Sequence, residues 1–262
     1  MNHSTELWEP SRAELLRETR VLFEAASMLA PLASGRLRET PDPAGHPVVV
    51  LPGFGADDRY TAAMRRYLRS HGHNARGWGM GKNLGGLNLP HSLERLSDTW
   101  PVEERDSYNG EASVPYLCDR FMEQVDAIYE ASGEPLTLVG WSLGGYVARE
   151  AARDRPDKVR HVITLGCPII GGPKYTATAR YFRGRGMDLD WIEAVVAERD
   201  QQRPIESRVT TIFSKSDGVV AWPATIDHHS KQVRHVETNA THLGMVFNPR
   251  IWRHVRDAIA GE

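Results

Sequence analysis

Short apolar runs alternate along this chain with stretches whose apolar positions recur at helical spacing. Residues 47–51 (PVVVL), 136–139 (LTLV), 159–165 and 209–213 read as buried strands, and 74–78 and 233–237 as weaker ones. Between them Val114, Leu117, Phe121, Val125 and Ile128 step by 3, 4, 4 and 3, which is one helical face. Residues 58–70, 143–153 and 249–260 read as further helices, the last opened by Asn248-Pro249. Strands that alternate with helices predict an α/β fold: a mostly parallel central sheet of about six strands, helices on both faces, and a short cap or none.

Ahead of this pattern lies an extension, residues 1–46. Residues 11–30 read as an amphipathic helix, with Ser11-Arg12-Ala13-Glu14 as a capping box and Leu15, Leu22, Ala26 and Leu29 at helical spacing. Acidic Glu14, Glu18 and Glu24 are mixed with its arginines, which favours packing on the chain's own domain or on a partner subunit over an in-plane membrane anchor. Residues 34–46 have linker composition. Residues 47–262 then form one catalytic-size domain. Two stretches interrupt its alternation, 79–112 and 168–206, and connections this long usually serve function or carry helices of their own.

Bulk composition narrows the partners. The chain has 262 residues, 32 Lys and Arg against 34 Asp and Glu, and a net charge of −2. Nothing in that balance attracts nucleic acid or an anionic membrane. No apolar run approaches the ~20 residues of a transmembrane helix. The opening decapeptide lacks a basic region followed by an apolar one, so a secretory signal is not expected. Two cysteines, Cys118 and Cys167, are too few for a disulfide framework or a zinc site, and two buried thiols fit a cytoplasmic location. His71 and His73 have the spacing of a ligand pair but lack further ligands, so no metal is expected.

Loops at the carboxyl ends of parallel strands open on one edge, where ligands bind. Three reactive residues fall in such loops. Ser142 follows 136–139 within Gly140-Trp141-Ser142-Leu143-Gly144; Asp217 follows 209–213; His242 follows 233–237. In a chain with 23 glycines the pentapeptide alone is weak, and its force comes from placement and order. A serine hydroxyl needs an imidazole to take its proton, and a carboxylate must fix the tautomer of that imidazole. Glycines flanking Ser142 permit a sharp strand-to-helix turn. The Leu143 N–H, and the Phe54 N–H in Pro52-Gly53-Phe54-Gly55, are the expected oxyanion donors. Asp227 is the reserve candidate for the acid.

With these residues in view, the chain resembles the α/β-hydrolase fold, and within it compact bacterial lipases and esterases. The resemblance covers roughly residues 47–260: Gly140-Trp141-Ser142-Leu143-Gly144-Gly145 matches the nucleophile elbow, Asp217-Gly218-Val219-Val220 the acid loop, and Thr241-His242-Leu243-Gly244 the histidine loop. Pro52 departs from the histidine that many members carry before the oxyanion glycine. The antiparallel strand pair that opens larger members is also missing. The resemblance implies a serine hydrolase that cleaves carboxylic esters through an acyl-enzyme, with a small-molecule or lipid ester as substrate and neither metal nor organic cofactor.

Trp78, Trp141, Trp222 and Met245 lie near these loops in sequence and are the candidate pocket residues, favouring an acyl site over a sugar or phosphate site. The glycine-rich stretch 77–86 matches neither phosphate-loop pattern and reads as an irregular loop beside the active edge. Two alternatives stay open: acyl transfer to an alcohol or thiol, and a ligand-binding protein on a hydrolase scaffold. Ser142 at the elbow excludes dehalogenase and epoxide hydrolase chemistry, which needs an aspartate there.

Overall fold

In the computed structural model, residues 6–26, 40, 43–102 and 108–261 are described. Six strands form one sheet: β1 (Pro47–Leu51), β2 (Asn74–Gly77), β3 (Leu136–Trp141), β4 (Val159–Leu165), β5 (Arg208–Ser214) and β6 (Gln232–Thr238). All pairings are parallel and the order is β2-β1-β3-β4-β5-β6. The chain winds from β1 outward to β2, then returns past β1 to β3. That reversal sets a crevice at the carboxyl ends of β1 and β3, the position where such sheets bind ligands.

Alternation along β1 explains how the sheet is covered. Val48 and Val50 join the layer of helices α3 (Ala62–Ser70), α8 (Gly244–Phe247) and α9 (Pro249–Ala260), with Met64, Leu68, Trp252 and Val255. Val49 and Leu51 join the opposite layer, with Leu117, Phe121 and Val125 of α4 (Ser113–Ser132) and Val147 and Ala151 of α5 (Leu143–Asp154). Period-2 strands thus feed two period-3.6 faces, which is why the apolar runs are continuous rather than alternating. Residues 168–206 carry two more helices, α6 (Ala179–Gly184) and α7 (Leu189–Gln202), which form a small cap. Its inner residues Ala179, Phe182, Met187 and Leu189 pack with Phe54 and Leu87.

The N-terminal extension differs from the expected single amphipathic helix. Residues 11–26 run as α1 (Arg12–Leu15), a 3-10 turn (Leu16–Arg20) and α2 (Val21–Ala26). The capping box is made, with the Glu14 N–H donating to Ser11 Oγ and the Ser11 N–H to Glu14 Oε2 at 2.7 Å. The apolar positions point outward instead of inward: Leu22 is 75% and Phe23 82% exposed. It is Glu18 and Glu24 that face the domain, because backbone N–H groups of two loops wait for acceptors there. Leu29 and most of the 34–46 linker lie outside the described residues. Among the described residues no helix is long and apolar enough to cross a membrane.

Candidate active site

β3 ends at Trp141 and α5 begins at Leu143, so Ser142 alone makes the turn. Its backbone sits at φ 53°, ψ −125°, the single positive φ outside glycine among the described residues. Such a conformation costs a non-glycine residue on the order of 1–3 kcal/mol and persists only when its surroundings fix it. Here the Ser142 N–H donates to Leu165 O at 2.8 Å, locking the turn to β4. A Cβ on Gly140 would run into the backbone of Gly144 and Gly145, and one on Gly144 into the carbonyls of Leu51 and Pro52. The elbow therefore closes only with glycine at both places.

The N-terminus of α5 aims its dipole and free N–H groups at the crevice. Neither the Leu143 N–H nor the Phe54 N–H has a hydrogen-bond partner among the described residues. Asn83 holds the Phe54 loop in place. Its Nδ2 donates to Pro52 O at 2.8 Å, its carbonyl accepts from the Gly55 N–H at 2.7 Å, and its own N–H donates to Ala56 O at 2.8 Å. The glycine-rich stretch thus braces the candidate oxyanion loop, a role that only the polar Asn83 inside it signals.

His242 Nδ1 lies 2.8 Å from Asp217 Oδ2, both side chains buried. Asp217 Oδ1 accepts from the Val219 and Val220 N–H groups at 2.8 Å each, so the carboxylate cannot swing away. Trp141 Nε1 donates to His242 O at 3.1 Å, and its ring lies 5.6 Å from the imidazole. Burial pulls the His242 pKa down, but the Asp217 charge, the hydrogen bond to it and the Glu18 charge outweigh burial and hold it above the ordinary 6.5. Nε2 is left without a partner among the described residues. Ser142 and His242 line one cavity without a hydrogen bond between them, and bonds of this type often tighten only around substrate.

This combination of elbow, acid loop and histidine loop on a parallel sheet agrees with a match of residues 48–260 to the sequence model of the alpha/beta hydrolase family. The chain belongs to the alpha/beta hydrolase family. Curated relatives include the pimeloyl-[acyl-carrier protein] methyl ester esterases of Neisseria meningitidis serogroup C (33% identical over 109 residues, 41% of this chain and 39% of that one). That of Methylococcus capsulatus is 37% identical over 102 residues, 38% of this chain and 37% of that one. The matched stretch thus spans less than two-fifths of those relatives. Among solved structures, a chain of the metagenome-derived lipolytic enzymes LipS and LipT superposes with a TM-score of 0.58 at 12% identity, over 86% of this chain and 97% of that one. Bacillus licheniformis lipase BlEst2 gives 0.53 at 15% identity, over 84% and 94%. At these identities the structural likeness speaks for the fold alone.

In this alpha/beta hydrolase the crevice deepens into a cavity of about 220 Å³, walled by sheet edge and cap. Phe54, Trp141, Ser142, Leu143 and His242 line it together with Val219 and Val220, while Phe182, Met187, Trp191, Ile192, Val195 and Val196 come from the cap. Of the four pocket residues expected from sequence, only Trp141 is among the lining. Trp78 turns into the core and donates its Nε1–H to Gly81 O at 2.8 Å. Trp222 stacks on Phe213 at 5.9 Å, under the Lys215 ammonium. Met245 is buried with Ile251 and Trp252 in the α9 layer. Nearness in sequence to a reactive loop did not decide where these side chains point; the direction of each turn did.

Asp227, the reserve acid, is engaged elsewhere. It pairs with Arg149 and accepts from the His229 and Ser230 N–H groups at 3.0 Å each. Burial pushes its carboxyl up, but the Arg149 guanidinium more than offsets this and holds it far below the usual carboxylate range. His71 donates or accepts only at Tyr67 O and Ser70, and no group of three metal-ligating side chains occurs among the described residues.

Proposed function

We propose that this alpha/beta hydrolase is a serine carboxylic-ester hydrolase acting on esters with an apolar acyl group. The observation that carries the reading is the 2.8 Å Asp217–His242 pair, with His242 and strained Ser142 lining one apolar cavity. Ser142 Oγ attacks the ester carbonyl carbon while His242 Nε2 takes its proton. The Phe54 and Leu143 N–H groups receive the oxyanion of the tetrahedral intermediate. As the intermediate collapses, His242 gives that proton to the departing alkoxide, which leaves as the alcohol. Water then attacks the acyl-enzyme, its proton passes to His242, and the acid leaves as Ser142 is reprotonated. Asp217 fixes the Nδ1–H tautomer and stabilises the imidazolium throughout.

The curated relatives' names add support, since they describe hydrolysis of a methyl ester on an acyl chain. The cavity wall, built from cap valines, isoleucine and aromatic rings, suits an acyl chain rather than a sugar or phosphate. The experiment is turnover of an aryl ester series of increasing acyl length by wild type and Ser142→Ala. A loss of kcat of about 10⁶-fold is expected, with the melting temperature kept. Unchanged turnover in the variant would overturn the reading, and adding alcohol or thiol acceptors to the wild type reports acyl transfer as new ester or thioester product.

A further inference from the structure

The reacting groups account for Ser142, His242, Asp217 and two backbone donors, and leave a buried carboxylate beside them unexplained. Glu18, on the 3-10 turn of the N-terminal extension, is only 9% exposed. Its Oε1 accepts from the Gly218 N–H at 2.9 Å and from the His242 N–H at 3.0 Å, and its Oε2 from the Leu243 N–H at 3.0 Å. No cation pairs with it among the described residues. A carboxylate withdrawn from water is tolerated without a cation only where several donors converge on it. Here every donor belongs to one of two loops: the one that carries Asp217 or the one that carries His242.

We propose that Glu18 is a positioning residue of this site, its carboxylate tying the acid loop to the histidine loop so that Asp217 and His242 meet in register. The consequence for turnover rests on the serine hydrolase reading; the tie between the loops rests on geometry alone. A second observation supports a built-in dock. Glu24 accepts from the Thr241 N–H at 3.1 Å and Thr241 Oγ1 at 2.8 Å, so three consecutive N–H groups of the histidine loop end on carboxylates of the extension. Where the extension crosses, both loops carry glycine. A Cβ on Gly218 would meet Glu14 O, and one on Gly244 the Glu24 carboxylate. Arg17 and Arg20 reach Lys215 O and Asn239 O at 3.5 Å, on the same two loops.

The charge has its own effect. The charged groups acting on the imidazole are Asp217 from the acid loop and Glu18 from the extension, while β3, the elbow and α8 contribute Trp141, Ser142 and Met245, which carry no charge. Both carboxylates favour the imidazolium and so strengthen His242 as a base.

The test uses the full chain with Glu18→Ala and Glu18→Gln, counting competent sites by titration with a serine-reactive phosphonate. In Glu18→Ala the kcat per competent site should fall about 10²-fold, the loss expected for reacting groups displaced by about 1 Å, with KM for a short aryl ester within about threefold of wild type. In both variants the acid limb of the kcat/KM profile should move to lower pH, because a negative charge beside the imidazolium is gone. The downfield proton resonance of the His242–Asp217 bond should weaken in Glu18→Ala. A merely structural Glu18 would lower the melting temperature but leave per-site kcat, the limb and the resonance at wild type, and that result overturns the proposal. Glu18→Gln, equal in size, reads the limb and the resonance if the alanine variant does not fold. Should wild type itself neither turn over ester nor react with phosphonate, the serine hydrolase reading falls, and the resonance in the two variants still decides for or against the tie.

Discussion

Two buried aspartates follow β5, and their partners set them different tasks. Asp217 touches His242 and two backbone N–H groups; Asp227 touches Arg149. Asp217→Asn should cost on the order of 10⁴-fold in kcat with little loss of stability, because the imidazole loses its tautomer and its counter-charge. Asp227→Asn should do the reverse, costing up to about 3–5 kcal/mol of stability by leaving the buried Arg149 guanidinium with only its longer 3.4 Å contact to Asp200, while the folded fraction keeps its kcat. Denaturant titration alongside active-site-normalised kinetics separates the two; equal kinetic losses would remove Asp217 from its assigned role. The pH dependence follows from the raised His242 pKa. In the proposed mechanism the base is the neutral imidazole, so kcat/KM should climb with pH through a midpoint above 6.5. The imidazolium is favoured in the folded state, so its contribution to stability is full below about 6.5 and fades as pH rises through the folded value. Activity and this part of stability therefore run in opposite directions, and a midpoint below 6.5 would show that Asp217 and Glu18 do not act on the ring as described. At this scale the sequence was most readable where sterics restrict the choice: the sharp strand-to-helix turn that Gly140 and Gly144 allow around Ser142. It was least readable at Trp78, Trp222 and Met245, whose distance from the site along the chain says nothing about side-chain direction.

Helix α7 is the element on which the cap depends, and it joins the cavity wall to a buried ion network. Trp191, Ile192, Val195 and Val196 line the cavity. Arg199 and Asp200, one turn on, enter a buried ion network with α5: Arg199 pairs with Glu150 and Asp154, Arg153 with Glu150 and Asp200, and Arg149 with Asp200 at 3.4 Å. The Arg199 guanidinium also lies 3.8 Å from the Trp100 ring, which itself lines the cavity. At the other end of the helix Glu111 accepts from the Asp188 N–H at 3.2 Å, and where the cap starts, ahead of α6, Thr176 pairs with Val220 of the acid loop across a short antiparallel bridge. A helix fixed at this many points cannot swing as a lid without exposing unpaired charges. The rate on a partly soluble ester should follow a single saturation curve through the solubility limit, and a jump at that limit would mean the cap opens at an interface. Periodicity alone places Arg149, Glu150, Arg153 and Asp154 on the solvated side of a surface helix; they are buried because their partners arrive from a helix some fifty residues later, which no local pattern encodes.

Over the whole molecule, the parallel sheet was legible because strands buried on both faces must be apolar throughout, and the meeting of the Ser142, Asp217 and His242 loops was legible because such sheets gather their loops at one edge. The extension was not. Its leucines suggested an inward apolar face, yet Leu22 and Phe23 face outward and Glu18 and Glu24 face inward. Hydrophobic spacing cannot register a dock made of backbone donors on distant loops. The extension also reaches the cap, where Glu9 pairs with Arg183 at 2.5 Å, so one short segment spans cap, acid loop and histidine loop. The two docking glycines distinguish this arrangement by degree. On Gly244 an added methyl meets the tip of the Glu24 side chain, which can rotate aside at the loss of its bonds to Thr241; on Gly218 it meets the Glu14 carbonyl, and the backbone of the extension must move. Gly218→Ala should therefore destabilise by about 1–3 kcal/mol, as overpacking does, and Gly244→Ala by less. Undocking should also open the extension to trypsin at Arg17 and Arg20, so cleavage there should quicken in Gly218→Ala before the rest of the domain is cut. If Gly218→Ala keeps both the wild-type melting temperature and the wild-type cleavage rate, the extension does not rest on the acid loop, and Glu18 cannot be holding it.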